Sequence, residues 1–366
     1  MKVCHLTSVH PRHDIRIFLK QCCSLVKAGY DTTLIVADGR GDEKIRGTNI
    51  IDIGARGNGR IGRMTKSVYG IYRKALEVDA EIYHFHDPEL IPAGLLLRRK
   101  GKIVIYDAHE DAPRDIFSKS WIKPSLQETI SIFIEHMEKY AGKRFNAIVA
   151  ATPHINERFL NLGCVAVNIN NYPVLDELYI SATDQKTKKK DVCYIGLIAK
   201  NRGMFEMLKA VEETNVRLIL CGTFSNDKDR EIALSTAGWK NAVSLGQVSR
   251  QQVSQIMSSS MAGMVLYHLD PNHINAQPNK MFEYMSAGIP IIASDFPLWK
   301  RIVDEFDCGL CVDPMNSLEI RKAIQWIVEH PDEAEKMGRN GRRCVEERFN
   351  WDMEAKKLLA LYQRMR

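Results

Sequence analysis

Short apolar segments alternate with amphipathic segments along the chain, and the alternation runs through both halves. The apolar segments of the first half have the length of buried strands and cover residues 2–7, 31–37, 82–86, 103–107 and 147–150. Those of the second half cover residues 191–195, 217–221, 242–245, 262–266 and 290–293. Segments between them, such as 15–28 and 125–144, have the apolar period of an α-helix. Strands separated by helices indicate βαβ units, so the pattern predicts an α/β protein with two doubly wound parallel sheets.

A polar interval separates the two halves. Residues 180–190, ISATDQKTKKK, are charged and have no apolar period, which is typical of an exposed linker. We therefore predict a first domain over residues 1–178, a linker over 179–190 and a second domain over 191–350. The last segment, residues 351–366, has the pattern of an amphipathic helix. In doubly wound folds, ligands bind beyond the carboxyl ends of the strands.

Composition narrows the class of protein. The chain of 366 residues exceeds what one hydrophobic core usually supports, and 45% apolar with 26% charged residues is ordinary for a globular protein. A net charge of +6 is too mild to indicate nucleic-acid binding. The N-terminal MKVCHLTSV has the pattern of a strand and not of a signal peptide, and no apolar run approaches the ~18 residues of a membrane span. We expect a cytoplasmic protein.

The nine cysteines show no paired framework. Most of them lie in apolar segments, which is typical of buried, reduced thiols. Cys308 and Cys311 form one CxxC pair, but a zinc site needs two more ligands at matched spacing. We expect no metal at this pair.

The segment PNKMFEYMSAGIPIIASD, residues 278–295, combines a helix start with a charged pair. Pro278 and Asn279 suit the first positions of a helix, so Lys280 falls in the first turn, where the helix dipole disfavours a cation. A lysine is stable there when it shares a phosphate with the exposed N–H groups. Glu283 lies one turn further on the same face and can accept two hydroxyl hydrogen bonds, as a ribose offers. The spacing fits a nucleotide site, and equally a capped helix with a chance Lys–Glu pair.

Two predicted strands of the first half end in a histidine followed by an acid. His86 and Asp87 follow one strand, and His109 and Glu110 follow the next. In a doubly wound sheet both pairs lie at the ligand-binding edge, which favours a functional role. A buried structural histidine is the alternative at each position.

The segment NKMFEYMSAGIPIIASD is similar to the signature of glycosyltransferase family 4, a family of retaining enzymes with the GT-B fold. The resemblance implies two Rossmann-like domains facing a central cleft, with the final helix, residues 351–366, crossing back onto the first domain. The signature contains two glutamates, and Glu283 matches the second, which binds the ribose in the family. Asn275 stands where the first glutamate contacts the transferred sugar, so an amide replaces a carboxylate there.

Other segments resemble the family in the same order along the chain. VHPRHDIRIFLKQCCSLVKAGY resembles the first loop and helix, in a variant typical of bacterial surface-polysaccharide enzymes. HFHDPEL resembles the strand end that carries the family's histidine, and the stretch from YIG to Arg202 resembles the start of the nucleotide domain.

The resemblance implies a role for each candidate residue. The catalytic set is His86, Glu110, Arg202 and Lys280, in which His86 faces the donor sugar and the two cations neutralise the diphosphate. The donor-binding set is Glu283, Asn275, Asn279, Gly222, Thr223, Val248 and Met281. The acceptor-side set is His10, Arg12, Asp87 and His109.

The implied reaction transfers a hexosyl group with retention from a nucleotide sugar, by family frequency a UDP-sugar. The implied acceptor is a saccharide carried on a lipid pyrophosphate, in the synthesis of O-antigen, lipopolysaccharide or capsular polysaccharide. The nucleotide sugar is a co-substrate, and no cofactor or metal is expected because cationic side chains face the diphosphate. A non-hydrolysing UDP-sugar 2-epimerase and a non-catalytic sugar-binding protein are the alternatives.

Basic residues of the first half predict contact with an anionic membrane surface. They are Arg56, Arg60, Arg63, Lys66, Arg73, Lys74, Arg98, Arg99, Lys100 and Lys102. Such residues attract anionic lipid at ~1 kcal/mol each near the surface. The prediction is a peripheral position on the inner face of the plasma membrane, and a solvated basic face is the alternative.

Overall fold

The computed structural model describes residues 1–55, 57, 59–119, 122–180 and 189–365, without the side chains of residues 60, 61, 63, 118 and 272. The chain forms two compact units. The first unit contains Met1–Asn171 and Met353–Arg366, and the second contains Tyr172–Asp352. No helix in the described part of the chain combines the length and the hydropathy needed to cross a bilayer.

The first unit is built on an eight-stranded sheet with the order β3-β4-β2-β1-β5-β6-β7-β8. The strands are β1 (Lys2–Leu6), β2 (Asp31–Val36), β3 (Glu43–Ile45), β4 (Thr48–Asp52), β5 (Ile82–Phe85), β6 (Ile103–Ala108), β7 (Ala147–Ala150) and β8 (Ala166–Asn168). Every neighbouring pair is parallel except β3 and β4. The strand order reverses between β1 and β5, so the loops after these strands diverge and leave room for a ligand.

Helices cover both faces of this sheet. They are α1 (Cys23–Lys27), α2 (Gly59–Gly62), α3 (Val68–Val78), α4 (Ile91–Arg99), α5 (Ala112–Asp115), α6 (Pro124–Gly142) and α7 (Pro153–Asn161), with π-helical segments at Ile15–Cys22 and Arg63–Ser67 and 3₁₀ turns at Pro88–Leu90 and Ile116–Ser118. Asp14 caps the segment Ile15–Cys22 by accepting from the N–H groups of Arg16 and Ile17.

The second unit is built on a six-stranded parallel sheet with the order β11-β10-β9-β12-β13-β14. The strands are β9 (Asp191–Ile195), β10 (Arg217–Cys221), β11 (Ala242–Gly246), β12 (Ala262–Val265), β13 (Ile291–Ser294) and β14 (Gly309–Val312). The helices are α8 (Met204–Val211), α9 (Asp227–Ser235), α10 (Arg250–Ser259), α11 (Pro271–Ile274), α12 (Asn279–Ser286), α13 (Pro297–Phe306), α14 (Ser317–Glu329) and α15 (Pro331–Glu347), with 3₁₀ turns at Lys200–Arg202 and Ala237–Asn241. The order reverses between β9 and β12, beside the start of α12.

The boundary between the units lies earlier than residue 178. Tyr172 packs edge-on against Phe282, and Leu178 is fully buried in the core of the second unit. This apolar contact explains why residues 172–178, which the sequence pattern assigned to the first domain, belong to the second unit. Most of the predicted linker, residues 181–188, lies outside the described residues.

The C-terminal helix, Trp351–Gln363, returns the chain to the first unit. The hydroxyl of Tyr362 lies 2.9 Å from Nδ1 of His84, and Glu354 accepts a hydrogen bond from the backbone N–H of Asn170. Both side chains are buried, so the helix completes the interior of a unit that begins at the opposite end of the chain.

Helix α12 is held in place by α15, and small residues let the two helices approach closely. A Cβ atom at Gly338 of α15 would clash with the carbonyl oxygen of Gly288, which follows α12. At Gly341, one turn further along α15, a Cβ would meet only the side chains of Met285 and Cys308, at 3.3 Å and beyond. Glycine is therefore required at 338 and far less so at 341.

We predict that Gly338→Ala lowers the free energy of unfolding by about 1–3 kcal/mol, because the backbone must shift to admit a methyl group. Gly341→Ala is the matched control and should lower the free energy of unfolding by less. The neighbouring Met285 side chain can move to admit the methyl group, and alanine has a higher helix propensity than glycine. Chemical denaturation of both variants measures the difference. Equal stabilities would contradict the close packing of α12 on α15.

Candidate functional site

The amino group of Lys280 lies buried at the start of α12. Lys280 is only 6% exposed, and its Nζ has no hydrogen-bond partner among the described residues. The Nζ atom stands 3.7 Å from the ring centroid of Tyr194 and 5.3 Å from that of Tyr267. Burial lowers the pKa of Lys280 well below its usual value, and repulsion by Arg202 lowers it further. The attraction of Glu283 raises this pKa, but by less. A buried cation of this kind favours an anionic ligand.

Glycines bring two strand ends close to this ammonium. Gly196 follows β9 with a φ of +131°, and a Cβ there would lie 3.2 Å from Nζ of Lys280. Gly222 follows β10 with a φ of +137°, and a Cβ there would clash with the carbonyl oxygen of Gly196. Only glycine fits at either position, so the backbone of both loops can pass beside the charge.

Arg202 adds a second cation to the same place. It ends the turn Lys200–Arg202 before α8, and its guanidinium carbon lies 5.2 Å from the ring centroid of Tyr267. The next residue, Gly203, is left-handed, and a Cβ there would clash with the carbonyl oxygen of Leu266. The structure therefore brings Arg202 and Lys280 to one tyrosine ring, and their role at a diphosphate stays a prediction.

Glu283 lies on the same helix and is held by an arginine that the sequence reading missed. Nη1 of Arg250 is 2.9 Å from a carboxylate oxygen of Glu283. The remaining donors of Arg250 form a two-pronged pair with Glu177, both at 2.9 Å. Ser249 and Gln252 form a capping box that fixes the start of α10, and hence Arg250. Glu283 is 15% exposed, so its carboxylate is oriented by Arg250 yet still open to solvent.

The other predicted donor residues differ in exposure. Asn275, Asn279 and Thr223 are exposed, and Val248 is partly buried against the core. Met281 is a correction, because its side chain is fully buried in the core and cannot contact a donor in this structure. The helical period places it on the inward face of α12, opposite to the exposed Asn279 side.

In the first unit, a buried carboxylate organises the carboxyl ends of β1, β5 and β6. Arg16 grips both oxygens of Asp107, with Nε at 3.0 Å and Nη2 at 2.7 Å, and Gln21 donates to the same carboxylate at 2.6 Å. Burial alone would raise the pKa of Asp107, but Arg16, His109 and His86 hold it well below its usual value. The carboxylate is therefore ionised and can only accept hydrogen bonds.

His86 is the buried centre of a chain of histidines. Its Nδ1 lies 3.1 Å from Asp107, and its Nε2 lies 2.9 Å from Nδ1 of His5. Burial lowers the pKa of His86 to about 4, so the ring is neutral near pH 7. Because Asp107 only accepts, Nδ1 of His86 donates to it, and Nε2 of His86 must accept from His5. The other nitrogen of His5 lies 3.4 Å from the hydroxyl of Tyr362.

Two further histidines of the network reach the surface. His109 is 16% exposed, and its Nε2 lies 3.0 Å from both Asp107 and Nδ1 of His86. His10 is 30% exposed and lies 3.4 Å from Asp87, which also accepts from the backbone N–H of Ser8. Burial would lower the pKa of His10, but Asp14 and Asp87 raise it above its usual value. These accessible rings, and the exposed Glu110, can meet a ligand that His86 cannot reach with its buried ring.

Arg12 is a second correction. It was expected to face the acceptor, but it is 5% exposed and forms a two-pronged pair with Asp38 at 2.8 and 2.7 Å. It also donates to Glu43 at 3.1 Å. Its donors are consumed by these contacts, so Arg12 fastens the loop after β1 to the loop after β2.

The histidine cluster contains side chains of the kinds that can bind a metal ion. Within the described residues, His84, His86 and Asp107 offer ligand atoms that lie within 4.8 Å of one another. The guanidinium of Arg16 already holds both oxygens of Asp107, so a cation there would be repelled by a cation. The donor set therefore fits a hydrogen-bond network better than a metal site.

The basic residues predicted to contact a membrane are partly paired. Lys74 pairs with Glu77, Lys102 pairs with Asp79, and Arg98 donates to backbone carbonyl groups. Arg56 lies outside the described residues, as do the side chains of residues 60 and 63.

Family comparisons match both halves of the chain. The model described as Glycosyltransferase Family 4 matches residues 17–169, and the model described as Glycosyl transferases group 1 matches residues 176–344. The D-rhamnosyltransferase WbpZ of Pseudomonas aeruginosa is 23% identical over 300 residues, which cover 77% of this chain and 73% of WbpZ. The MMP alpha-(1->4)-mannosyltransferase of Mycolicibacterium hassiacum is 19% identical over 292 residues, which cover 76% of this chain and 70% of that protein.

Solved structures share the fold over the full chain. The sucrose-phosphate synthase of Thermosynechococcus elongatus superposes with a TM-score of 0.80 at 16% identity, covering 100% of this chain and 98% of that one. Anabaena HepE, solved in complex with UDP, superposes with a TM-score of 0.74 at 13% identity, covering 100% of both chains. With two parallel α/β units and family matches on both, the chain belongs to glycosyltransferase family 4 and is a glycosyltransferase with the GT-B fold.

Proposed function

We propose that the protein is a retaining glycosyltransferase that moves a hexosyl or deoxyhexosyl group from a nucleoside diphosphate sugar, foremost a UDP-sugar, to a saccharide acceptor. The observation that carries the proposal is the buried Nζ of Lys280 at the amino end of α12, which has no hydrogen-bond partner in the described part of the chain and lies near Arg202. HepE was solved with UDP and with UDP-glucose, which supports UDP as the nucleotide. The rhamnosyl- and mannosyltransferase relatives support a sugar of hexose size.

In this proposal the second unit binds the donor. The diphosphate lies at Lys280, Arg202 and the free N–H groups that begin α12, where the helix dipole also favours an anion. The ribose hydroxyls donate to Glu283, and the base lies along the loops that contain Gly222, Thr223 and Val248. A diphosphate would return the pKa of Lys280 towards its usual value, because it supplies the missing counter-charge.

The first unit supplies the acceptor side. In the reaction, the bond between the anomeric carbon and the diphosphate oxygen breaks, and a bond from that carbon to the acceptor oxygen forms on the same face. The acceptor proton passes to an oxygen of the leaving diphosphate, so no side chain has to act as base. Lys280 and Arg202 stabilise the charge that develops on the diphosphate, which is the largest contribution expected of this site.

The histidine network positions the accessible groups. His86 has almost no exposed surface, so we assign it to orienting His109 through Asp107, and we assign sugar contacts to His109 and His10. Glu110 is exposed beside them and is a further acceptor contact. We propose a lipid-pyrophosphate-linked saccharide as acceptor, in the assembly of a bacterial surface polysaccharide such as O-antigen or capsule.

A mass-spectrometric screen of nucleotide sugars, with and without lipid-pyrophosphate saccharides, tests the proposed activity. The expected result is release of the nucleotide together with a glycosylated acceptor whose anomeric configuration matches the donor. A changed sugar without any acceptor product would point to an epimerase, and binding without turnover would point to a sugar-binding protein.

We predict that Glu283→Ala weakens UDP binding by roughly 2–4 kcal/mol, because two hydrogen bonds from the ribose to a charged group are lost. Isothermal titration calorimetry with free UDP measures the change. Glu335→Ala, which removes an exposed glutamate of α15, is the control and should bind UDP like the wild type. Unchanged affinity in Glu283→Ala would remove the ribose assignment.

Metal independence is a second prediction. Because Lys280 and Arg202 supply positive charge at the diphosphate, turnover should survive EDTA. The measurement compares initial rates after chelation with rates after added magnesium or manganese. If activity disappears with EDTA and returns with a divalent ion, the phosphate site has been misassigned.

His86 should matter for turnover and not for nucleotide binding. We predict that His86→Ala lowers turnover by about 10²-fold or more while UDP affinity stays nearly unchanged, since the ring positions His109 and lies in the other unit from Glu283. Calorimetry measures UDP affinity and thermal unfolding measures stability alongside the rate. His86→Gln is the conservative variant, because its amide keeps one hydrogen-bond donor. Full turnover, or loss of UDP binding in a cooperatively unfolding protein, would contradict this role.

A further inference from the structure

Three helices of the first unit form one layer on one face of its sheet. Ile71 of α3, Leu97 of α4 and Ala141 of α6 belong to the same core cluster, which also contains Tyr83 and Val104 of the sheet. Helix α3 contacts α4, and α4 contacts α6. We call the outward side of these helices the outer helix surface.

The outer helix surface carries large apolar side chains that are half or more exposed. Leu126, Phe133 and Tyr140 of α6 are spaced by seven residues, so they lie on one side of this helix, and they are 50%, 67% and 51% exposed. Ile132 of α6 and Tyr69 of α3 are also exposed. The exposed side of a helix in water is normally polar, so this row indicates a surface that meets an apolar phase.

Basic residues border this apolar row at one end. Lys139, Lys143 and Arg144 are exposed at the end of α6, and Arg99 and Lys100 are exposed at the end of α4. The two ends touch, because Nε of Arg98 donates to the carbonyl oxygen of Arg144 at 2.9 Å. The guanidinium of Arg144 lies 3.5 Å above the ring of Tyr140, which joins the basic border to the apolar row.

Acidic groups do little to neutralise this border. Glu135 pairs with Arg114, and the buried Glu138 pairs with Arg158. Glu128 is the exposed acid on α6 and lies near the opposite end of the helix. The end of α6 next to α4 therefore keeps a positive charge beside exposed aromatic rings.

We propose that the outer helix surface binds an anionic phospholipid surface, with Phe133 and Tyr140 entering the headgroup region and the basic border contacting lipid phosphates. The charge pattern selects this occupant. In a two-fold dimer formed through this surface, the basic border of one copy would approach the basic border of the other. The two positive borders would repel each other unless the dimer kept them apart. An anionic bilayer complements both the positive border and the apolar row.

The proposal deepens the proposed function, because the enzyme would meet a lipid-linked acceptor at that surface. It rests on the proposed function for this link to the acceptor, and membrane binding itself is argued from the surface. It also shifts the membrane prediction from α3 towards α6. Lys74 and Lys102, from the sequence-based set, are engaged with Glu77 and Asp79, whereas Lys139 and Lys143 have no ion pair within the described residues.

Co-sedimentation of the full chain with phosphatidylcholine vesicles, with and without phosphatidylglycerol, tests the surface. Two sets of substitutions separate its parts: the double variant Phe133→Ser with Tyr140→Ser, and the triple variant Arg99→Gln, Lys139→Gln and Lys143→Gln. The matched controls lie in the second unit. They are Met315→Ser with Leu318→Ser, which are also exposed apolar side chains, and Lys209→Gln, Lys322→Gln and Lys336→Gln, which remove the same charge.

The wild type should bind the vesicles that contain phosphatidylglycerol, and the triple variant should bind them about tenfold or more weakly, as should the wild type at high salt. The double variant should weaken binding at every salt concentration, and both controls should bind like the wild type. All variants should bind UDP with the affinity of the wild type. A defect in the donor site would therefore be distinguished from a loss of membrane binding.

Three results would overturn the proposal. The first is a wild type that does not bind vesicles containing phosphatidylglycerol at low salt, and the second is an equal loss of binding in the triple variant and its charge-matched control. The third is a dimer in analytical ultracentrifugation that Phe133→Ser with Tyr140→Ser dissociates while vesicle binding is absent, which would make the surface an interface between copies.

Discussion

A buried lysine amino group without a hydrogen-bond partner among the described residues is the constraint on which the arrangement of the second unit depends. The faces of Tyr194 and Tyr267, with the attraction of Glu283, offset part of the hydration that Lys280 loses on burial. Gly196 must be glycine for the loop after β9 to pass beside this charge. The close packing of α15 on α12 then holds the amino end of α12, and the lysine with it, in place. A site built this way is preorganised for negative charge before any ligand arrives.

The first unit solves the reverse problem with a buried anion. Asp107 is neutralised by Arg16, and its fixed charge sets the direction of each hydrogen bond that leads from His86 to His5. When each neutral ring has a fixed donor and a fixed acceptor nitrogen, the hydrogen bonds hold the rings in one orientation. The accessible His109 is held by the same carboxylate, so its ring orientation is also fixed by Asp107.

Sequence patterns located the ten interior or long strands and helix α12, because these have strong local signals. All ten predicted strands are present, and the pattern missed β3, β4, β8 and β14. Of these four, β3, β8 and β14 are edge strands and β4 lies beside β3, and all four contain partly exposed residues that weaken the apolar pattern. The helix start at Pro278 was predictable because proline and the apolar period mark it locally.

Contacts between distant residues could not be predicted in the same way. Arg250 pairs with Glu177, 73 positions away, and Arg16 pairs with Asp107, 91 positions away, so neither has a signal in its own neighbourhood. Arg12 lies in a segment that resembles a functional loop, yet its role is decided by Asp38 and Glu43. Local patterns identify elements, and tertiary pairing decides what their polar side chains do.

The returning C-terminal helix has a consequence for synthesis. On the ribosome, N-terminal domains usually fold first, but here the first unit lacks Tyr362 until residues 172–352 of the second unit have been translated. The contact between Tyr362 and His5 spans 357 positions, and the second unit, contiguous from 172 to 352, is fully translated before it can form. In the nascent first unit, His5 and His84 therefore lack their contacts with the Tyr362 hydroxyl while the second unit is being translated. The first unit can therefore complete its fold only after the second unit has been translated.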